Sequence, residues 1–532
     1  MIQLKINNQD VVVETGTTIL RAAEKLGIAI PTLCRKESFK PSTSCMACVV
    51  RVEGSSSLIP ACGALAQDGM RLHTDTSDVL AARKAAIELL LSEHAGDCEG
   101  PCRIGCPAGM DIPQMLRQIA AGQMAFAIRT IKADIAIPAI LGRICPAPCE
   151  KVCRRNQHDA AISICLLKRF AADWDLVSPS PYQPRCEIKT GKKAAIVGAG
   201  PCGLAAAYYL MQAGVGCVVF DKMDKPGGNL RSVERDKLPE DILDKEINQI
   251  LSLENVEFRG GTEVGKTIEF EMLCADFDAV FVATGQADVS KYGLEASDKG
   301  IKIVPKTYQT SRKGVFAGGE AAGRRRLAVR AAADGKEAAL SILQYLSGKE
   351  VTGQTGRFNS RLGQVNDGEM QAFLVGAEKI KRNEPISIPD GFSPEMAKVE
   401  SRRCLRCDCG KKETCRLREL AEANKAKQQT YKGQRKSFTR QVALSGLVYE
   451  SGKCILCGLC VQAAKKQNEP NSYTVGLSFT GRGFATEIAV ALKKTLDEGL
   501  SFDAAKRCAD VCPTGALCIQ NNGLKDYGER YA

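Results

Sequence analysis

Long apolar stretches, aromatic side chains and histidine are all scarce in this sequence of 532 residues. No apolar run approaches the roughly 20 residues that span a bilayer. The start of the chain lacks the basic and then apolar segments of a signal peptide, so we expect a cytoplasmic protein without membrane insertion. Aromatic residues make up only 5%, and no base-stacking motif accompanies the net charge of +12, which argues against nucleic acid as a partner. No nucleophile–base pair or substrate-pocket signature is present, so the chemistry is expected to belong to cofactors.

Cysteine, in contrast, is abundant, with 25 residues. In a reducing compartment such cysteines indicate metal ligands rather than disulfides. Most of them lie in tight groups with two or three residues between neighbours, which is the spacing of iron–sulfur ligands. Six cysteines fall outside these groups and are more typical of small buried residues: Cys186, Cys202, Cys217, Cys274, Cys508 and Cys518.

The first group, Cys34, Cys45, Cys48 and Cys62, follows a predicted strand, turn, strand and helix. Thr17 or Thr18 is expected to cap that helix. Two thiolates three residues apart, with two more supplied by the fold, favour a [2Fe–2S] cluster over the alternative of a zinc site. The segment resembles the N-terminal two-iron ferredoxin domain of the large electron-input subunit of respiratory complex I and of iron-only hydrogenases.

A predicted helix over 79–93 leads into a second run of ligands with the spacing of four-iron cubanes: His94, Cys98, Cys102, Cys106, Cys145, Cys149, Cys153 and Cys165. The segment resembles the double-cubane domain of the small subunit of NADPH-dependent glutamate synthase and the N-terminal region of dihydropyrimidine dehydrogenase. It also resembles the large subunit of electron-bifurcating transhydrogenases.

That resemblance implies interleaved ligands, with Cys98, Cys102 and Cys153 on one cubane and Cys106, Cys145 and Cys149 on the other. The residues available as the fourth ligand of each cubane differ from those of the family. His94 and Cys98 fit a His-x3-Cys ligand pair of the complex I subunit. The family's acidic or amide ligand falls at Lys168, a poor iron ligand, and Cys165 is the available substitute.

A dinucleotide-binding motif opens the central part of the chain. A buried strand over 192–197 runs into a glycine-rich turn and a helix, and a second strand ends at an acid about 20 residues on, as in dinucleotide-binding folds. Two later motifs resemble those of two-dinucleotide flavoproteins and imply FAD. The predicted FAD contacts are Gly198, Gly200, Pro201, Gly203, Asp221, Gly228, Asn229, Arg231, Ala283, Thr284, Gly285, Gly319 and Glu320.

One domain of that family is missing from the sequence. Glutamate synthase small subunits insert a second GxGxxG domain for NADPH between the last two flavin motifs. Only residues 286–313 separate Gly285 from Gly314 here, which is too short for such a unit. The resemblance therefore does not carry a prediction of NADPH binding.

Two cysteine groups follow near the C-terminal end. Cys404, Cys407, Cys409 and Cys415 favour a cubane over a zinc knuckle. Cys454, Cys457 and Cys460, completed by Cys512 before Pro513, match one half of a two-cluster ferredoxin. The run GLSFTGRGFATEI also resembles the ferredoxin domain of complex I and hydrogenase.

The sequence therefore predicts a multidomain α+β and α/β protein. Its predicted parts are a β-grasp two-iron ferredoxin (1–78), a helical double-cubane domain (79–188) and a Rossmann-like FAD domain (189–350). A linker (351–400), a four-cysteine motif (401–425) and a C-terminal ferredoxin-like cubane domain (440–532) follow. Nineteen cysteines and His94 supply five clusters of four ligands, one [2Fe–2S] and four [4Fe–4S], beside one FAD.

The expected function is an electron-transfer subunit of an anaerobic oxidoreductase complex, such as formate dehydrogenase, hydrogenase or an NADH/ferredoxin-linked complex. Its partners would be other redox subunits and an electron carrier such as ferredoxin. The basic stretch 411–440 is the candidate docking face for an acidic partner. Two alternatives stay open: a self-contained ferredoxin- or NAD(P)H-linked reductase of the glutamate synthase type, and a non-redox protein with relict cofactor sites.

Overall fold

A computed structural model describes residues 1–286, 288–324, 326–385, 387, 390–465 and 476–520. The strands are β1 (Ile2–Ile6), β2 (Gln9–Val13), β3 (Val49–Val52), β4 (Leu58–Pro60), β5 (Arg71–His73), β6 (Lys193–Val197), β7 (Gly216–Phe220), β8 (Val256–Arg259), β9 (Ala279–Val282), β10 (Ala296–Ser297), β11 (Gly300–Ile301), β12 (Val315–Ala317), β13 (Arg440–Val442), β14 (Leu447–Glu450), β15 (Leu477–Thr480), β16 (Glu487–Val490) and β17 (Leu517–Ile519).

The helices are α1 (Ile19–Lys25), α2 (Ser77–Glu93), α3 (Pro101–Gly105), α4 (Ile112–Ala120), α5 (Met124–Lys132), α6 (Pro138–Ile144), α7 (Pro148–Lys151), α8 (Ile164–Leu176), α9 (Pro201–Gln212), α10 (Glu240–Leu251), α11 (Phe270–Asp276), α12 (Ala328–Leu346), α13 (Asp367–Leu374), α14 (Pro394–Arg402), α15 (Arg416–Ala423), α16 (Leu459–Lys465), α17 (Leu496–Gly499) and α18 (Phe502–Val511). Short 3-10 turns occur between them.

The described chain folds as two compact units that do not follow the order of the sequence. Unit 1 combines residues 1–100, 357–377 and 405–520, and unit 2 combines residues 101–356 and 378–404. The predicted boundary at 78/79 differs from this division, because α2 and the residues up to 100 belong to unit 1. The predicted C-terminal range 440–532 extends beyond the described residues.

The N-terminal part of unit 1 is a five-stranded mixed sheet. Its order is β2-β1-β5-β3-β4, with β1 and β5 parallel and the other neighbours antiparallel. Alternation along β1 buries Leu4 and Ile6 against Leu20 of α1. The Thr18 hydroxyl accepts a hydrogen bond from the Arg21 backbone N–H at 3.3 Å, so Thr18 is the N-cap.

The C-terminal part of unit 1 contains two small sheets. Strands β13, β14 and β17 form one antiparallel sheet, and β15 pairs with β16 in a hairpin. Helices α16 and α18 pack together over these strands through a shared apolar core. The run Gly476–Ile488, which resembles complex I and hydrogenase, supplies most of the hairpin.

Unit 2 is built on a parallel five-stranded sheet with the order β12-β9-β6-β7-β8. Every residue of β9 is buried, as expected for a parallel strand covered on both faces. Helices α9 and α12 lie side by side, and Gly335 allows the approach: a Cβ there would stand 2.1 Å from the Cys202 carbonyl oxygen.

Helices α3 to α8 of unit 2 share one apolar core with the sheet's helices. Ile131 and Ile140 from the helical segment pack in the same cluster as Leu204, Tyr208 and Ile247. The cysteine-bearing helices are therefore packed directly on the dinucleotide fold.

The segment predicted to be a linker is largely ordered into the two units. It contains α13, which has an Asn366–Glu369 capping box, and α14, which Ser393 caps. Phe373 is buried in unit 1 and Glu400 in unit 2. The polar composition concealed this packing because few apolar side chains anchor each helix. Within the described residues, no helix is both long enough and apolar enough to cross a membrane.

Candidate functional site: cysteine sets and a dinucleotide loop

The four N-terminal cysteines converge in unit 1. Cys34, Cys45, Cys48 and Cys62 are all buried. The Cys34 sulfur lies in hydrogen-bond contact with the thiols of Cys45 and Cys62, and these contacts lower the pKa of Cys34 to about 2. Cys48 is in turn hydrogen-bonded to Cys62. Met46, with φ of 52°, turns the chain between Cys45 and Cys48. This arrangement fits a cluster bound by four thiolates.

A second set surrounds Lys168 in unit 2. Cys106, Cys145, Cys149 and Cys165 all interact electrostatically with its ammonium group. The hydrogen bond from Cys165, followed by burial, raises the pKa of Cys145. Cys165 therefore lies with Cys106, Cys145 and Cys149, the three cysteines that the family resemblance implied for one cubane. Lys168 lies beside these four cysteines as a neighbouring cation rather than as a ligand.

The position of Cys165 follows from local contacts. It lies at the start of α8, one helical turn before Lys168, and its backbone N–H donates to Glu150 Oε1 at 2.9 Å. Glu150 is held by Arg382 at 3.0 Å. Ala147, in the left-handed region at φ of 51°, allows the tight turn between Cys145 and Cys149.

Three further cysteines, Cys102, Cys153 and Cys404, pack against the helical core of unit 2. Cys153 accepts hydrogen bonds from the backbone of Ile162 and Arg155. The buried Arg155 guanidinium donates to the Arg403 carbonyl, next to Cys404. The C-terminal cysteine motif is therefore divided: Cys404 belongs to unit 2, whereas Cys407, Cys409 and Cys415 belong to unit 1.

Cys98 has neighbours that the sequence did not predict. Cys98 lies in unit 1, whereas Cys102 and Cys153 lie in unit 2. The Cys409 backbone N–H donates to the Cys98 carbonyl at 3.1 Å. Cys98 also interacts electrostatically with Cys409 and Cys415. Sequence spacing concealed this contact, because the partners are separated by most of unit 2.

His94 directly follows α2 as its C-cap residue and lies near the Lys453 ammonium. Its Nδ1 atom is shielded from solvent and has no hydrogen-bond partner among the described residues. Burial, and then the neighbouring Lys453 ammonium, lower the pKa of His94 to about 3. The imidazole is therefore neutral at physiological pH, which is the form that binds metals.

The C-terminal set lines a cavity in unit 1. Its walls include the thiols of Cys454, Cys457, Cys460 and Cys512, together with the apolar side chain of Ile488. Leu456 and Gly458, both with positive φ, turn the chain between the cysteines. An apolar space bordered by four cysteines suits a cubane. Cys508 is buried, as predicted, and donates to the Cys460 carbonyl at 3.4 Å.

The predicted FAD contacts converge at the carboxyl edge of the unit 2 sheet. Gly198 has φ of 110°, and a Cβ at Gly203 would stand 1.9 Å from the Gly198 carbonyl oxygen, so both positions require glycine. Gly200 and Pro201 begin α9, with open space at Gly200 for a phosphate at the helix N-terminus. Asp221, at the end of β7, accepts from the Ala199 N–H at 2.7 Å.

The two later flavin motifs face each other. Ala283, Thr284 and Gly285 follow β9, and a Cβ at Gly285 would approach Glu320 Oε2 to 3.9 Å. Glu320 Oε1 lies 3.4 Å from Arg326 Nε, and Thr284 Oγ1 is shielded from solvent beside Tyr292. Thr284 follows β9 and Glu320 follows β12, so both lie at the same sheet edge as the glycine-rich turn. With the open space at Gly200, the residues present fit FAD.

The remaining predicted contacts lie beside this loop. Gly228, with φ of 50°, lies close to the backbone of Gly200, since a Cβ at Gly228 would stand 3.1 Å from the Gly200 Cα. Asn229 follows on a short 3-10 turn. Gly319 contacts Cys202. Arg231 donates to Asp244 at 2.6 Å and so points toward α10.

No second dinucleotide fold occurs between Gly285 and Gly314 within the described residues. That interval contains a 3-10 turn and the short hairpin of β10 and β11. Likewise, no group of three or more His, Cys, Asp or Glu side chains in the described ranges is arranged around a single metal ion. Cluster ligands surround several iron and sulfide atoms and need not meet that arrangement.

The basic stretch proposed for docking is largely used inside unit 1. Lys411 donates to the Cys512 carbonyl at 2.7 Å, and Lys412 and Arg418 both reach Glu99. Arg440 pairs with Glu450 at 2.7 Å. These cations hold the cysteine loops together, which sequence charge alone could not distinguish from a solvated surface.

Three families of known proteins match parts of this chain. A family described as "2Fe-2S iron-sulfur cluster binding domain" matches residues 1–77. "Dihydropyrimidine dehydrogenase domain II, 4Fe-4S cluster" matches residues 87–179, and "pyridine nucleotide-disulphide oxidoreductase" matches residues 172–335. The matched segments, all within residues 1–335, are those of an oxidoreductase. It is a mixed α/β protein with a ferredoxin part, a four-iron part and a dinucleotide oxidoreductase part.

Individual relatives confirm the resemblance to glutamate synthase small subunits and similar proteins. The chain is 37% identical over 207 residues to the NADPH-Fe(3+) oxidoreductase subunit beta of Geobacter sulfurreducens, covering 38% of this chain and 30% of that protein. It is 35% identical over 222 residues to the NADP(+)-dependent formate dehydrogenase subunit beta of Moorella thermoacetica, covering 38% and 31%. The glutamate synthase [NADPH] small chain of Mycobacterium tuberculosis is 40% identical over 198 residues, covering 36% and 39%. The chain thus spans less than two fifths of the length of these relatives.

Proposed function

We propose that this chain is an electron-transfer iron–sulfur flavoprotein subunit of a larger, anaerobic-type oxidoreductase. It would carry one [2Fe–2S] cluster, four [4Fe–4S] clusters and one FAD, and relay electrons between partner subunits. The observation that carries the proposal is the C-terminal cavity bordered by Cys454, Cys457, Cys460 and Cys512. The convergent N-terminal thiols and the glycine-rich turn with open space at Gly200 give independent support.

In this proposal the protein's own residues bind, orient and shield the redox groups. The cysteines would hold the clusters as thiolates, and the α9 N-terminus and Asp221 would hold the FAD pyrophosphate and ribose. Clusters exchange single electrons and FAD exchanges one or two, so FAD would connect one-electron and two-electron carriers. No side chain of this chain is assigned a bond-making step.

The relatives guide the choice of complex. Two of them are named as beta subunits, one of a formate dehydrogenase and one of an Fe(3+) oxidoreductase, so a partner with the substrate site is expected. Both names include NADP(H), and this favours a second candidate: a reductase that takes electrons from NAD(P)H at its own FAD. The short interval between Gly285 and Gly314 argues against that candidate.

The test is anaerobic purification of the protein from its native host, with iron and flavin analysis and identification of co-purifying chains. We expect about 18 irons and one FAD per chain, together with a catalytic subunit that names the reaction. Zinc in place of iron, or a single chain without flavin, would contradict the proposal. A lone chain that carries the full cofactor set and oxidises NADPH would favour the second candidate.

A further inference from the structure

The chain segment around Cys98 is fixed to the loop between Cys409 and Cys415 by several buried contacts. The Cys98 carbonyl accepts from the Cys409 N–H at 3.1 Å. Glu99, the next residue, pairs with Lys412 at 3.6 Å and with Arg418 at 3.0 Å. Both cationic side chains are at most 4% exposed, so these ion pairs are shielded from solvent screening.

The same segment is held on its other side. Ser360 Oγ lies 3.2 Å from Cys98 Sγ and donates to the Gly96 carbonyl at 2.8 Å. The Leu362 N–H donates to Asp97 at 2.8 Å. Residues 96–99 therefore have a fixed position within unit 1, and these contacts also fix the position of Cys98.

The buried Lys453 side chain connects His94 with this region. A Cβ at Gly96 would stand 2.5 Å from Lys453 Cε, and a Cβ at Gly515 would lie 2.1 Å from Cys409 Sγ and 3.7 Å from Lys453 Cδ. Cys409 and Gly96 therefore both lie next to the Lys453 side chain. His94, two residues earlier, has an Nδ1 atom that is shielded from solvent and has no hydrogen-bond partner among the described residues. An imidazole nitrogen and the thiols of Cys98, Cys409 and Cys415 are thus collected in unit 1.

We propose that His94, Cys98, Cys409 and Cys415 form one [4Fe–4S] site, replacing the grouping of Cys98 with Cys102 and Cys153. The ligands of this site are split in the sequence by residues 101–356, which form most of unit 2. Cys404 then belongs to a different site from Cys409, although only five positions separate them. This inference rests on the proposed function, since it presumes that the chain binds clusters.

The grouping can be tested on the full chain, purified anaerobically and reduced with dithionite, by electron paramagnetic resonance and iron analysis. Cys98→Ser, Cys409→Ser and Cys415→Ser are each expected to remove the same cluster signal and about four irons. Cys404→Ser is expected to remove a different signal. Cys217→Ala, a buried cysteine of β7 outside every set, is the matched control and keeps all signals.

The proposal is overturned if Cys409→Ser and Cys404→Ser remove one signal in common while Cys98→Ser removes another. Where one variant of the set does not accumulate, either of the other two gives the same comparison with Cys404→Ser. A wild-type chain without clusters would instead reject the proposed function, so the two failures are distinguishable.

The histidine ligand has its own test, which needs no cysteine variant. Pulsed paramagnetic resonance of the wild-type chain, prepared with ordinary or 15N-labelled histidine, is expected to show one cluster with a directly coupled nitrogen. That coupling disappears in His94→Cys, while the cluster persists with a fourth thiolate, and it remains in the control His158→Ala. Absence of nitrogen coupling in the wild type, or loss of the same signal in Cys407→Ser, would remove His94 from the site.

Discussion

Lys168 in unit 2 and Lys453 in unit 1 are both buried beside predicted cluster ligands, but their charges are balanced differently. Lys453 pairs with Glu450 at 2.5 Å, and Glu450 also binds Arg440. Lys168 is 3% exposed and has no carboxylate partner among the described residues. Four cysteines are the groups that face its ammonium.

The difference predicts that the negative charge of a cluster faces an ammonium without a carboxylate partner in unit 2, and an ammonium that is already paired in unit 1. Reduction of a cubane adds one electron, and a nearby uncompensated cation stabilises the reduced form. An ammonium already paired with a carboxylate contributes less to that stabilisation. We therefore expect Lys168 to act mainly on the reduction potential, and Lys453 mainly on folding.

The largest expected effect is loss of the cluster that Lys168 would face. Cys165→Ser removes the thiol that completes the set of Cys106, Cys145 and Cys149, so iron should fall from about 18 to about 14 per chain. Iron analysis and paramagnetic resonance measure this. The control is Cys186→Ser, an exposed cysteine outside the sets, which should keep all irons. Full iron content in Cys165→Ser would show that a residue other than Cys165 is the fourth ligand of this cluster.

The next effect concerns stability. Lys453→Met leaves Glu450 with one cation fewer in a buried position, which is expected to lower the free energy of unfolding by about 3–5 kcal/mol. Anaerobic urea unfolding measures the change, with Lys506→Met on the exposed face of α18 as the control. The double variant Lys453→Met/Glu450→Gln should recover part of the loss. A stability loss no larger than that of the control would contradict the assigned role.

The smallest effect is a shift in potential. Lys168→Met should keep its irons while the cluster of its set becomes harder to reduce, by about tenfold in the reduced-to-oxidised ratio or about 59 mV. A mediated redox titration followed by paramagnetic resonance measures the midpoint. Lys151→Met, exposed on α7 near Cys149, is the control. An unchanged midpoint would remove the distinction between the two lysines.

Local motifs made much of the architecture predictable. The strand and glycine-rich turn at Gly198 fold as expected, because short-range backbone geometry determines them. The Cys454 triplet and Cys512 also meet as predicted, since close spacing and one proline restrict where they can go. The helix predicted over 79–93 extends from Ser77 to Glu93.

Features that depend on distant parts of the chain were missed. The contact of Cys98 with Cys409 has no local signal, because most of unit 2 separates the two residues in the sequence. Lys168 was judged only as a poor ligand, because burial and the absence of a carboxylate partner cannot be seen in sequence. The sequence also predicts a linker where α13 and α14 pack, because the burial of these helices cannot be seen in the sequence.

The central claim is that the chain relays electrons through clusters and FAD and has no NAD(P)H site of its own. Anaerobic reductive titration of the isolated full chain tests this claim most directly. A low-potential one-electron donor should deliver about seven electrons, one to each of five clusters and two to FAD. NADPH alone should leave the flavin absorbance unchanged. Reduction of the flavin by NADPH, or an uptake of only two electrons, would contradict the account.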